Sequence, residues 1–192
     1  MHSSDTNDTP ASLYKGAMGA RWQLMPQVWR EVHDVRSTAT LQGVAEVTRG
    51  TTLRAKLMCW VLGMPPAATA AKLTITRTRK GDRELWHRSF DSHPFPSVLT
   101  AAKPGYLHEQ IGLIRVLCEL GGDDTHVIMR VAGASIFGLP IPKWLLPGTE
   151  VREDVQLIGG APTYHFDISV SHKLAGPLVR YRGHLAKTGG GG

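Results

Sequence analysis

From Lys72 onward apolar and polar residues alternate with a period of two, and short clusters rich in Gly, Asp and Pro interrupt the alternation. That is the pattern of antiparallel strands joined by tight turns. Pairing can be tested by register, because a one-residue slip turns every side chain to the opposite face. A two-residue turn at Gly81 and Asp82 sets Leu73 opposite Phe90, Ile75 opposite Arg88, Arg77 opposite Trp86 and Arg79 opposite Glu84. A four-residue loop at 121–124 pairs Cys118 with Val127, Val116 with Met129 and Ile114 with Val131. A loop at 159–162 pairs Leu157 with Tyr164, Val155 with Phe166 and Val151 with Val170, and turns Asp154, Gln156, His165 and Asp167 the other way. Continuing through 173–176 sets Val179 beside Val170, Tyr181 beside Ile168 and Leu185 beside Tyr164, with Gly183 opposite Phe166 and an Arg182 to Asp167 pair outside.

Before Lys72 the spacing is different. Residues 11–33 carry apolar positions at helical intervals in two pieces, the second opened by Pro26. A short strand around 39–48 follows. Thr51 and Thr52 then cap a helix whose Leu53, Leu57, Trp60 and Val61 form one stripe, ending at Gly63. The expected fold is mainly β (α+β), with about nine strands and two N-terminal helical segments. One shared apolar face is buried by a strongly curved antiparallel sheet or open β-barrel.

A chain of 192 residues suits a single domain, here 11–187, with loose tails at 1–10 and 188–192. Its hydrophobic content of 42% excludes a disordered chain. The net charge of +6 would attract polyanions. The basic residues are scattered singly, however, without a polybasic run or an RNP-type strand, so no nucleic-acid partner is expected. Cys59 and Cys118 lie far apart in apolar segments with no secretory signal ahead of them, which points to a reduced, cytoplasmic setting and to core residues. The longest charge-poor stretch is too short for a bilayer span and is broken by Pro65 and Pro66.

The same parity rule applied to charges singles out three residues. Arg88 lies between Trp86 and Phe90, Glu109 between Leu107 and Ile111, and Glu153 between Val151 and Val155, all on the apolar side. An isolated buried charge is too costly to keep, so these groups must pair, reach water or line a cavity. A structural ion pair from Arg88 to either glutamate is the simplest outcome, and a ligand-orienting cluster the next. Arg77, Arg79 and Glu84 share that face but lie by the turn, where Arg79 can pair with Glu84 and Arg77 can stack on Trp86. His33 closes a helix, where a histidine ordinarily answers the helix dipole and can also serve as a base.

Motifs for metal, nucleotide or nucleophilic chemistry are missing from the sequence, so neither a metal nor a cofactor is expected. Two proline-stiffened apolar loops remain, 63–66 and 137–147, the latter reading FGLPIPKWLLP. They can cap the open end of the sheet, gate a cavity or dip into a membrane interface, in that order of preference.

Taken in order, SLY near the start, His33, GVAEVTRG at 43–50, LGMPP, ELWHRSF at 84–90, GLPIP at 138–142 and LVRYRGHL at 178–185 resemble a bacterial family, the domain of unknown function 4166. The likeness spans nearly all of residues 12–186. It implies no activity and no catalytic residues. It does imply that relatives occur as the C-terminal part of chains whose other domain resembles an NAD(P)-dependent oxidoreductase, so a small metabolite and a separate oxidoreductase partner are expectations from the resemblance alone.

Three functions follow in order. The first is a module binding a mainly apolar small molecule through Arg88, Trp86, Phe90, Glu109, Glu153 and Tyr181. The second is a cofactor-independent isomerase, lyase or cyclase, with Glu109, Glu153 or His33 as acid or base and Arg88 steadying negative charge. The third is an interaction domain docking on an oxidoreductase or, less favoured, a membrane surface through Phe137 and Trp144.

Overall fold

Alternating strands with one apolar face lose that face to water unless the sheet bends over it, and here the bending runs to closure. A computed structural model describes residues 12–188; the expected tail at 1–10 and the closing glycines at 189–192 lie outside the described residues. The strands are β1 (Thr38–Arg49), β2 (Ala68–Lys80), β3 (Arg83–Phe90), β4 (His93–Ala101), β5 (Tyr106–Ile111) and β6 (Ile114–Gly122). They continue as β7 (Val127–Ile136), β8 (Leu139–Pro140), β9 (Gly148–Ile158), β10 (Ala161–His172) and β11 (Gly176–Lys187). Ten of them close an antiparallel barrel, through β1 to β7 and back by β9, β10 and β11 to β1, while β8 adds only to the edge of β7. The expected nine-stranded open form therefore gains two strands and a seam.

The hairpins at 81–82 and 173–175 have the expected registers, including Arg77 opposite Trp86 and Gly183 opposite Phe166. Two others differ. Gly159 and Gly160 both have positive φ (60° and 83°) and make a two-residue turn, so Tyr164 faces Val155 and Phe166 faces Glu153. The β6–β7 ladder runs on through Gly122, paired with Val127, because the Asp123 carboxylate accepts the N–H groups of Thr125 and His126 and sets the turn at 123–126. Cys118 thus faces Val131. The slip in β9–β10 is two residues and leaves the inward parity intact. In β6–β7 a bulge beside Cys118 moves the inward positions of β7 from Val131 to Ala134.

The two barrel ends differ. At one end, which we call the floor, α1 (Leu13–Met18), a 3-10 turn (Gly19–Gln23) and α2 (Gln27–His33) cover the opening with Tyr14, Trp22 and Trp29, all buried. Pro26 stands at the N-cap of α2, as expected from its fixed φ. At the other end, the mouth, α3 (Leu53–Val61) bridges β1 and β2, with the Thr52 hydroxyl capping it at Ala55 N–H, 3.1 Å. Its buried face is Ala55 and Cys59, while Leu53, Leu57, Trp60 and Val61 are exposed. The apolar stripe on this helix therefore faces away from the core.

The wall is incompletely laced towards the mouth. Pro94 and Pro96 bring no N–H for a second ladder, and β4 pairs with β5 only from Val98 to Ala101. The β7–β9 ladder stops at Arg130 and Glu150, beyond which β7 turns aside to pair with β8. On the outer surface Asp167 bonds Arg180, with Nε to Oδ1 at 2.8 Å, while the expected partner Arg182 goes to Glu46 at 2.9 Å. The register places Arg182 opposite both Asp167 on β10 and Glu46 on β1; its guanidinium takes Glu46, and Asp167 is left to the diagonal neighbour Arg180. No helix among the described residues is long and apolar enough to cross a membrane.

Candidate functional site

Inside the barrel the three parity-selected charges do point inward, and they separate into two groups. Arg88 on β3 reaches across β4, donating to Ser97 Oγ at 2.7 Å and to Glu109 Oε1 on β5 at 3.0 Å. Its guanidinium also lies 4.5 Å from the Trp86 ring centroid, and that of Arg77 lies 5.0 Å from it. Burial is the largest influence and opposes the Arg88 charge, but Glu109, Tyr181 and Tyr14 together outweigh it and hold the guanidinium more firmly protonated than usual. Glu109, not Glu153, is the partner, which the sequence left open. Two of the five guanidinium N–H groups are engaged, so Arg88 keeps donors for another acceptor.

Glu153 belongs to the floor. Its Oε2 accepts from Trp29 Nε1 at 3.0 Å and lies 3.3 Å from His33 Nε2, close in distance but off hydrogen-bond alignment; the Tyr164 hydroxyl also donates to it. Burial alone would raise this carboxyl, yet the adjacent His33 imidazole, the Tyr164 hydroxyl and the bond from Trp29 bring it below its ordinary value. His33 is fully buried between Tyr14 and a stacked Trp29, with ring centroids 4.3 and 4.0 Å away. Its Nδ1 contacts the Trp29 carbonyl at 3.0 Å, so Nδ1 carries the hydrogen. The helix-end role expected for this histidine is thus secondary to its place in the core.

Arg77 and Glu84 are also fully buried; Arg77 stacks on Trp86 as expected, but Glu84 does not pair with Arg79. Arg77 donates to the Val32 carbonyl at the end of α2, where unpaired helix carbonyls collect. The Glu84 carboxylate takes its hydrogen bond from Trp86 Nε1 at 2.8 Å instead of from Arg79, and burial holds its pKa above the usual range. The floor helices explain the difference: they roof the turn end of β2 and β3, and no periodicity within the strands reports that cover.

Trp86, Arg88, Glu109, Glu153 and Tyr164 line a cavity of about 130 Å³ that runs from Tyr14 towards Met64 and is walled mostly by apolar side chains, Phe90 among them. Burial pushes the Tyr181 hydroxyl up to about 12, so it stays a neutral donor. A second space of about 340 Å³, almost wholly apolar, lies at the mouth between α3, the ends of β6 and β7, and the 137–147 loop. Both spaces are lined by Met64, Phe95, Ile111, Thr149 and Val170, which form the neck between them. The mouth volume falls within the roughly 300–1,000 Å³ of small-molecule pockets.

All six residues expected to bind ligand, Arg88, Trp86, Phe90, Glu109, Glu153 and Tyr181, border the inner cavity, whereas His33 does not. Sequence reading missed Ser97, Tyr14, Trp29 and Tyr164. Ser97 follows from parity, since Phe95, Ser97 and Leu99 alternate inward, but the flanking prolines disguised the strand. Trp29 and His33 are four apart on α2 and share a face. Among the described residues no group of three or more His, Cys, Asp or Glu is placed to hold a metal.

A closed barrel with an interior cavity is compatible with ligand binding. No curated protein matches the chain. The family model described as domain of unknown function (DUF4166) matches residues 24–185, most of the chain, and the protein belongs to that family.

Proposed function

We propose that the barrel binds a mainly apolar small molecule whose polar end is oriented by Arg88 and Glu109. The observation that carries this reading is the Arg88–Glu109 pair, set with the floor carboxylate Glu153 in a cavity walled mostly by apolar side chains, which adjoins an apolar mouth across a neck. Because the pair is internally neutral, the cavity suits a hydrogen-bonding head such as a hydroxyl, carbonyl or amide better than a bare charge. The spare N–H groups of Arg88 and the Tyr181 hydroxyl supply donors, and Glu109 supplies an acceptor.

Catalysis is the weaker reading. Glu153 is held ionised by three neighbours and is poorly suited to act as a general acid, and Glu109 is occupied by Arg88.

Native mass spectrometry of freshly purified protein, followed by organic extraction, tests the proposal. A retained small molecule, or saturable binding of the neutral carbonyl-bearing fluorophore Nile red that Arg88→Met weakens, supports it. An empty protein that binds no apolar probe under native conditions refutes it.

A further inference from the structure

The five connections at the mouth end of the barrel differ in character from those at the floor. Residues 50–67, 91–92, 112–113, 137–147 and 173–175 hold four basic residues, Arg54, Lys56, Lys143 and Lys173, and one acidic residue, Asp91. The floor turns at 34–37, 81–82, 102–105, 123–126 and 159–160 hold four acidic residues, Asp34, Asp82, Asp123 and Asp124, and two basic ones, Arg36 and Lys103. The four mouth cations are exposed. The floor helices add Lys15, Arg21, Arg30 and Glu31, which brings the floor to five acidic and five basic residues, so the excess positive charge of the connections lies at the mouth.

Large apolar side chains gather at that same end. On α3 Leu53 is 83% and Trp60 76% exposed, and in the 137–147 loop Phe137 is 81% and Trp144 61% exposed. Leu113 and Leu174 add single exposed leucines on two further mouth turns. The α3 and loop segments border one opening, since Leu57 and Val61 line the mouth cavity together with Leu145 and Leu146. They lie far apart in sequence, 53–61 against 137–147, so only closure of the barrel brings them side by side. Isolated exposed leucines need no explanation, but a contiguous apolar rim carrying two tryptophans and ringed by cations does.

We propose that the mouth of the barrel docks on an anionic lipid bilayer, with Trp60, Trp144 and Phe137 inserted at the headgroup level and Arg54, Lys56, Lys143 and Lys173 facing the phosphates. Tryptophan prefers the membrane interface because its ring is apolar while its N–H is polar, and lysine reaches the headgroups along its own apolar stem. Attraction between surface cations and anionic lipid adds to the insertion of apolar side chains, and salt screens it. A protein partner of equal area would need a complementary acidic rim, and a second copy of this chain would set two cationic mouths against each other. The charge pattern disfavours a second copy, and two exposed tryptophans among the cations favour the bilayer. This surface stands independently of the cavity's ligand, but it places the neck over a source of apolar molecules.

Co-sedimentation of the full chain with phosphatidylcholine vesicles, with and without about 30% phosphatidylserine, tests the proposal. Binding to the anionic vesicles, a blue shift of tryptophan emission on binding, and loss of binding in high salt are expected. The double variant Trp60→Ser/Trp144→Ser should lower partitioning at least tenfold with its far-UV circular dichroism unchanged. Leu157→Ser removes an exposed leucine at the opposite end and should leave partitioning unchanged. Absence of binding to anionic vesicles overturns the proposal, as does binding that the double variant retains. A concentration-dependent dimer abolished by Trp60→Ser, without vesicle binding, assigns the face to a second copy and also overturns it. Failure of the cavity reading would appear separately, as absence of Nile red binding in vesicle-free solution while vesicle partitioning persists.

Discussion

Arg88 and Glu109 meet at 3.0 Å inside the barrel although a whole strand, β4, separates their own strands. The pair is possible because β4 offers Ser97, a short polar side chain, beneath the span of the guanidinium, where Phe95 and Leu99 stand on either side. Curvature does the rest, since it brings inward-facing side chains two strands apart towards one another.

Breaking this pair from one side leaves a charge in an apolar cavity. Arg88→Met and Glu109→Gln are each expected to lower unfolding free energy by about 2–4 kcal/mol. The double variant is expected to recover a substantial part of that loss, because it removes the orphaned charge. Urea denaturation of the four proteins closes the cycle. Strictly additive effects would show that the two side chains do not interact.

Glu153 makes stability depend on pH in a definite direction. Its folded pKa lies below the ordinary 4.5, so its contribution is fully present above that value and is lost as pH falls through the folded pKa. Glu84 acts the opposite way. Burial raises its pKa, so its ionised form costs stability above the ordinary value, and acidification relieves that cost. Comparing wild type with Glu153→Gln isolates the first effect: melting temperature in the wild type should fall more steeply between about pH 5 and pH 3. Parallel acid limbs for the two proteins would refute the depressed pKa.

Close approach of β1 and β11 depends on Gly183. A Cβ at this position would stand 2.1 Å from the Val44 carbonyl oxygen, a backbone atom held in the sheet. Gly183→Ala should therefore destabilise by at least about 1–3 kcal/mol through forced separation of the strands. Gly16 lies in α1 with nothing near its missing Cβ, and Gly16→Ala should instead stabilise by about 0.5–1 kcal/mol. Thermal melts of the two variants should move in opposite directions.

How far the strands could be read in advance depended on where each turn's information lies. Gly81 and Asp82 form a two-residue turn that the dipeptide announces, and every pairing from Leu73 to Arg79 followed. At Gly159 and Gly160 the same economy was available, and reading the loop as 159–162 instead shifted the ladder by two. Such a shift preserves which side chains face inward, so Glu153 was still placed in the barrel while its cross-strand neighbour was not. Ring closure, the floor cover over Arg77 and Glu84, and the outward direction of Leu53, Leu57 and Trp60 are tertiary facts. A stripe of apolar residues on a helix reports amphipathicity, not which side meets the core.

The neck between the two cavities provides a test that separates access from affinity. Thr149 lies at the start of β9, half-buried, and lines both spaces together with Ile111 and Phe95. A tryptophan there adds bulk to a passage without removing Arg88, Glu109 or Tyr181, and the ladder beside it has already ended at Glu150. The wall can therefore tolerate an outward adjustment at modest cost in stability. Thr149→Trp is expected to slow association of an apolar probe with the inner cavity by about tenfold or more while the dissociation constant, once equilibrium is reached, changes less. Stopped-flow fluorescence gives the two quantities separately. If the variant associates at the wild-type rate, apolar molecules do not reach the Arg88–Glu109 pair through the mouth.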